Sequence, residues 1–243
     1  MKIADALRLS GEAFLNALYP PHCAQCLANT ASGVHVCAIC AAQARKIEPP
    51  FCRRCSQPFE GAIDGEFTCA QCSDHPVHFD CAVARYRSRG IVREFIHRFK
   101  YDRQYYLRQP LADWLAETLE DARMTAQPFD AFVPVPLHLA RYRERDFNQA
   151  EVLARLVAKR AGKPVLHALK RIRYTTTQTQ LDREQRMENL RNAFRVRHAS
   201  LVQSRHLVLV DDVFTTGSTV EECARVLRQA GAASVRVVTV ARG

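Results

Sequence analysis

Apolar positions recur along this chain in two rhythms. From residue 79 onward, short apolar runs alternate with stretches whose apolar residues fall three and four apart. FDCAVARYR reads as a strand, GIVREFIHRFKY and RQPLADWLAETLEDA as helices, DAFVPVPL as a buried strand, and NQAEVLARLVAKRAG as a helix ending near Gly162. PVLHALKRI is a weaker strand, and the polar RYTTTQTQLDREQRMENLRNAF has no clear period. HLVLVDD is a buried strand, GSTVEECARVLRQAG a helix stopped by Gly231, and SVRVVTVA a final strand. Strands alternating with helices predict parallel βαβ units and a sheet covered on both faces. At the other end, Ile3, Leu7, Phe14 and Leu18 share one helical face, predicting an amphipathic helix over residues 1–19.

Between these regions periodicity gives way to cysteine. Nine of the ten cysteines precede residue 82, and eight form CxxC pairs: Cys23/Cys26, Cys37/Cys40, Cys52/Cys55 and Cys69/Cys72. A CxxC turn brings two thiolates to one tetrahedral ion, and a second such turn completes a closed four-cysteine site. The intervening prolines and glycines supply turns, so residues 20–78 read as a module that needs metal to fold. Two structural zinc ions are therefore expected, paired in sequence order or interleaved. With no coordination position left open, neither is catalytic. Disulfides are disfavoured by the lack of a secretion signal, and thioredoxin-like chemistry by the lack of a βαβ pattern around the pairs. Cys81 and Cys223 read as buried structural cysteines, and His75 and His78 as loop residues.

One stretch carries candidate chemistry. In LVLVDDVFTTGSTV an apolar strand runs into Asp211 and Asp212, followed by Thr215, Thr216, Gly217, Ser218 and Thr219 before a helix. In parallel sheets ligands bind beyond the carboxyl ends of strands. The strand, taken as 206–212, puts both aspartates at such an end. Small and hydroxylated residues before a helix amino terminus make an anion site of one-phosphate size. Neither a Walker A loop nor GxGxxG occurs.

This loop resembles the phosphoribosyl pyrophosphate (PRPP) motif of type I phosphoribosyltransferases. With VPVPLHLARYRERDFNQAEVLAR, KRIRYTTTQTQLDREQRMENLRNAF and the paired cysteines, the chain is similar to the ComF/GntX-like competence family from about residue 20 to its end. The resemblance implies an α/β fold: a type I phosphoribosyltransferase-like parallel sheet flanked by helices over 79–243, behind a double zinc-ribbon module over 20–78. It implies that Asp211 and Asp212 are the catalytic carboxylates, holding ribose hydroxyls directly or through Mg2+, while Thr215, Thr216, Gly217, Ser218 and Thr219 bind the 5-phosphate. Pro136, Leu137, His138 and Arg141 would face the pyrophosphate, and Arg171, Arg173 and Gln178 would sit on a flap over the ligand. Asp146 and Asn192 stand where the family commonly has glycine. Both residue types tolerate left-handed backbone, so the turns can persist, although Asp146 adds negative charge near Arg143 and Arg145.

Charge narrows the partners. A formal charge of +10 and a pI of about 9.3 favour anions. Residues 85 to 108 carry eight Arg/Lys and four tyrosines, a composition suited to single-stranded DNA unless the tyrosines are core. The resemblance thus implies Mg2+-dependent phosphoribosyl transfer from PRPP in DNA uptake or use. The second reading is a non-catalytic PRPP or nucleotide sensor that binds single-stranded DNA. Other competence or DNA-processing proteins are expected partners. No window approaches 18 uninterrupted apolar residues, so a cytoplasmic protein without membrane insertion is expected.

Overall fold

The computed structural model describes residues 20–61, 63, 65–75, 77–173 and 183–243. The helix expected over 1–19 and the flap residue Gln178 lie outside the described residues. Contacts divide the chain into two units, Met1–Ala44 and Arg45–Gly243, each treated by itself.

In the first unit, Cys23 opens a tight turn in which the Leu27 N–H donates to Cys23 O at 3.0 Å, with Leu27 at φ 61°. Cys37 then caps the one-turn helix α1 (Ala38–Ala41). The second unit begins with the same device. The Ser56 N–H donates to Cys52 O at 2.9 Å, Ser56 has φ 56°, and Cys69 caps α2 (Ala70–Ser73). The second copy docks on a strand edge: the Ala82 N–H donates to Arg54 O at 2.6 Å, and the buried Ser56 hydroxyl donates to Ala82 O at 2.9 Å. Cys52, Cys55, Cys69 and Cys72 thereby share one apolar core with Phe79, Phe214 and Val220.

After this come β1 (Ala82–Arg87), α3 (Gly90–Tyr101), α4 (Arg108–Ala116), α5 (Ala122–Thr125), β2 (Ala131–Pro134), α6 (Leu139–Arg145) and α7 (Gln149–Ala161). The remaining elements are β3 (Leu169–Arg171), α8 (Arg183–Leu190), β4 (Phe194–Val196), β5 (His206–Phe214), α9 (Ser218–Gln229) and β6 (Ser234–Arg242). Four strands form a parallel sheet in the order β1-β6-β5-β2, while β3 and β4 pair antiparallel. The apolar runs explain the sheet, since every residue of β6 is buried. Leu207 and Leu209 of β5 pack with Cys223, Ala224 and Leu227 of α9. The alternate residues Phe132, Val208 and Val210 are also fully buried, and α4 and α7 pack on the sheet.

Most expected elements are observed, α3 over the whole of GIVREFIHRFKY and α7 stopping at Gly162 in left-handed conformation. Two differ. PVLHALKRI yields only a bridge at Val165 and the short β3. Strand β5 runs two residues past Asp212, because β6 continues to Arg242 and offers partners to Val213 and Phe214. The aspartates therefore lie within the strand rather than at its last residue. Asp146 and Asn192 adopt φ 65° and 58°, the left-handed turns that glycine would otherwise supply.

The buried Arg236 of β6 closes one end of the sheet. Its Nη1 donates to Met124 O and Gln127 O, both at 2.7 Å, and its Nη2 to Pro128 O at 3.1 Å. An Arg236→Met variant leaves three carbonyls without this donor and is expected to lose about 2–4 kcal/mol of stability, read by denaturant unfolding.

Candidate functional site

Strands β2 and β5 run side by side and parallel, so the segments after them leave the same edge of the sheet. Asp211 and Asp212 occupy β5 just before that edge. Asp211 is half-buried, and its Oδ1 accepts from the Asp212 N–H at 2.9 Å. Burial, then the charge of Asp212, pushes its pKa up to about 7 from an ordinary 3.8, while Lys100 and Arg171 oppose the shift. Asp212 is 7% exposed, and its Oδ1 meets Lys100 Nζ at 2.8 Å.

Thr215 to Gly217 form the turn into α9. Gly217 has φ 80°, and a Cβ there would lie 2.5 Å from the Phe214 ring, so glycine is required on two counts. The Thr216 and Ser218 hydroxyls lie 3.0 Å apart. The Ser218 N–H reaches the Thr216 hydroxyl at 3.5 Å, while the amides that follow it in the first turn of α9 have no intrahelical carbonyl and, with the helix dipole, suit an anion.

Other expected site residues sit as follows. His138 caps α6, its Nδ1 accepting from the Ala140 N–H at 3.2 Å, and follows Pro136 and Leu137 in the segment after β2. Arg141 pairs with Glu144 at 2.8 Å. The added charge of Asp146 is met by Arg103 at 3.1 Å. Arg145 instead stacks on Tyr101, 4.8 Å from its ring. Arg171 lies over Phe194 and acts electrostatically on Asp211. Arg173 donates to Arg191 O at 3.0 Å, at the base of the β3–β4 hairpin.

Lys100 escaped the sequence reading. Its signal was there: Val92 and Ile96 are buried, and Lys100, eight and four residues on, continues their stripe on α3. A lysine on a core-facing stripe calls for a buried partner, and Asp212 is that partner.

The cysteines form two groups in sequence order, Cys23/Cys26/Cys37/Cys40 and Cys52/Cys55/Cys69/Cys72, with the sulfurs of each within 4.8 Å of one another. A tetrahedral zinc ion, with bonds of about 2.3 Å, sets its sulfurs roughly 3.8 Å apart. Cys26 and Cys37 are 3.7 Å apart, and Cys55 and Cys69 3.5 Å. The amides of Cys37 and Cys69 point at Cys23 and Cys52 sulfurs at 3.3 and 3.4 Å, which stabilises thiolate. Both sets fit zinc. Among the described residues no helix is long and apolar enough to cross a membrane.

Such a sheet with its acidic strand and phosphate-sized turn, behind two four-thiolate sites, defines a phosphoribosyltransferase-type domain preceded by a double zinc ribbon. Family models agree: a double zinc ribbon domain matches residues 14–73 and a phosphoribosyl transferase domain residues 148–243. DNA utilization protein YhgH of Escherichia coli (strain K12) is 34% identical over 85% of this chain and 90% of its own. Competence protein F of Haemophilus influenzae is 32% identical over the same shares. Competence protein ComFC of Streptococcus pneumoniae is 26% identical over 79% of this chain and 87% of its own. The chain belongs to the ComF/GntX-like competence family.

The two zinc sites differ in exposure. Cys26 is exposed, whereas all four cysteines of the second set are buried. With a chelator and a thiol reagent, Cys23, Cys26, Cys37 and Cys40 are expected to react in a faster phase, before Cys52, Cys55, Cys69 and Cys72, as read by peptide mass mapping.

Asp211 also makes a pH prediction. Its folded pKa is raised, so between about 4 and about 7 the folded chain keeps a proton that the unfolded chain has lost. Its contribution to stability falls as pH rises through that window and is level above it. Lys100→Met removes the opposing cation and is expected to move the Asp211 midpoint above about 7, checked by carbon-13 NMR of the aspartate carboxyls.

Proposed function

We propose that this chain binds PRPP at the β5–α9 turn and transfers its phosphoribosyl group to a nitrogen nucleophile, in the uptake or use of DNA. The observation that carries the reading is the continuity of Asp211, Asp212, the Gly217 turn and the α9 amino terminus. Ribose 5-phosphate carries hydroxyls and a phosphate on one molecule, so a single ligand would meet both features. The two carboxylates would hold the ribose hydroxyls and bear on the positive charge that develops at C1 as pyrophosphate leaves. Thr215, Thr216, Ser218 and Thr219 would fix the 5-phosphate. Pro136, Leu137, His138 and Arg141 would face the leaving diphosphate, and Arg171 and Arg173 would belong to a flap that excludes water.

Magnesium fits this donor set. Adjacent carboxylates, one of them driven to hold a proton by burial and by its neighbour's charge, form a site short of positive charge. Bound there with the substrate, Mg2+ would neutralise the diphosphate. Lys100 already supplies one cation to Asp212, and we assign it a share in binding the ribose end.

The acceptor would reach C1 from the side opposite the diphosphate. The relatives named for competence and DNA utilization support placing the reaction in handling of DNA. The second reading, a sensor that binds single-stranded DNA, draws on Tyr101, Tyr105 and Tyr106, all well exposed, with Arg108 4.3 Å over the Tyr105 ring. Base stacking on such rings beside arginine is the usual basis for strand binding without sequence preference.

Turnover separates the two. Full-length protein with PRPP, Mg2+ and a panel of bases is expected to release pyrophosphate. The double variant Asp211→Asn, Asp212→Asn is expected to bind PRPP on the order of 100-fold more weakly, since it loses charged hydrogen bonds to two hydroxyls. PRPP binding without release on any base would favour the sensor, and unchanged affinity in the double variant would sink the site assignment altogether.

A further inference from the structure

The turn that would hold the 5-phosphate is gripped from beneath by one buried cation. Arg242, 3% exposed, ends β6 opposite Phe214 of β5. Its Nη1 donates to Phe214 O at 3.2 Å and Thr215 O at 2.5 Å, and also to Gly243 O. The guanidinium lies 4.8 Å from the centre of the Phe214 ring. That ring fills the space beside Gly217 where any Cβ would fall. Arg242 thus fixes two consecutive carbonyls and one ring, and the ring fixes the glycine whose conformation aims the α9 amides.

The other side of the same guanidinium reaches the cysteines. Its Nη2 donates to Gln71 Oε1 at 3.2 Å. Gln71 lies in α2 between Cys69 and Cys72, immediately before a zinc ligand. Cys55, Cys72, Phe79, Phe214, Thr216 and Gly217 line one cleft of only about 10 Å³, so cluster and turn pack with scarcely room for a water between them.

We propose that the Gln71–Arg242 bond is a tether through which the second four-cysteine cluster holds the phosphate turn in its binding shape. Arg242 is then a positioning residue, and the metal state of Cys52, Cys55, Cys69 and Cys72 sets affinity for a phosphorylated ligand. The reason is conformational. Without metal, α2 has one hydrogen-bonded turn and two unheld ligands, so Gln71 leaves its place. Arg242 then loses its outer anchor, and the turn spends less time in the competent state. Apparent affinity falls in proportion to that fraction. By reciprocity, a ligand on the turn slows loss of zinc from this cluster. The affinity half of the inference rests on the proposed reading of the site; the tether itself does not.

The test uses the full-length chain, with zinc content verified at two per chain. Two quantities are read: hydrogen exchange of the peptide spanning residues 214–221, and affinity for PRPP with Mg2+. Gln71→Leu removes the acceptor while leaving every cysteine and Arg242 in place. It is expected to keep both zinc ions, to speed exchange in the turn about tenfold and to weaken PRPP binding by a similar factor. Gln71→Glu restores an acceptor for Nη2 and is expected to return both values to the wild-type range. A purely structural role for Gln71 would lower melting temperature without moving exchange in the turn selectively.

Gln71→Leu with two zinc ions, wild-type exchange and wild-type affinity overturns the tether. Should that variant shed zinc, Arg242→Lys reads the same link from its other end. One ammonium group cannot span both the carbonyls and Gln71, so exchange is expected to rise, and unchanged exchange there overturns the proposal. Wild-type protein that binds no PRPP would refute the proposed ligand instead, and exchange in the turn would still decide the tether.

Discussion

Two carboxylates on consecutive residues of a buried central strand are the costly feature to which the rest of the larger unit answers. Burial, and then the neighbouring charge of Asp212, disfavour the charge on Asp211. Asp211 answers by holding its proton up to about pH 7. The surrounding structure supplies positive charge from several elements. Lys100 comes from α3, Arg171 acts from the β3 strand, and the α9 amino terminus begins six residues beyond Asp212. No one of these neutralises the pair. The raised pKa of Asp211 shows that Lys100 and Arg171 offset its burial only in part.

That balance explains what the sequence could and could not reveal. Apolar runs and helical spacing depend on local patterning, so α3, α7, β5 and β6 were legible as elements. The acidic pair and its small-residue turn were legible for the same reason: strand, turn and helix are contiguous. What lay hidden was set by register between distant segments. Strand β5 outruns HLVLVDD only because β6, about thirty residues later, pairs with its last residues. Lys100 lies more than a hundred residues before Asp212, and its one local trace is a charge on an otherwise buried stripe. Pro136, Leu137, His138 and Arg141 were nameable through resemblance. Yet the capping role of His138 and the pairing of Arg141 with Glu144 depend on where α6 starts.

The cysteines make a similar point about context. Their spacing repeats, and so does their local geometry, down to left-handed Leu27 and Ser56 in the two CxxC turns. The motifs differ only in the stretch between their CxxC pairs, ten residues in the first and thirteen in the second, which does not by itself say which cluster is buried. The distinction comes from neighbours: Ser56 is a hydroxyl that can bond across to β1, and Phe79, Phe214 and Val220 supply an apolar wall for the second set. A small metal module cannot bury much surface by itself, and joining the core of a sheet relieves that limit.

Charge is the last property that structure redistributes. A net +10 invites the inference of a broadly cationic, nucleic-acid-binding surface. Many of the arginines are instead committed to backbone. Arg236 and Arg242 are buried and donate to carbonyls, Arg123 donates to Arg53 O and Ser56, and Arg228 bonds His78 O and Asp80. Within residues 85 to 108, Tyr86 is core, Lys100 serves Asp212, and Arg87 pairs with Glu60. Tyr101, Tyr105 and Tyr106 remain exposed, with Arg145 over the first ring and Arg108 over the second, as the part of this stretch suited to stacking. That patch ends where α3 delivers Lys100 to the carboxylate pair. Tyr101 closes α3 one residue after Lys100, and Tyr105 and Tyr106 follow in the next turn, so one short stretch of chain presents the exposed rings and delivers the cation that pairs with Asp212.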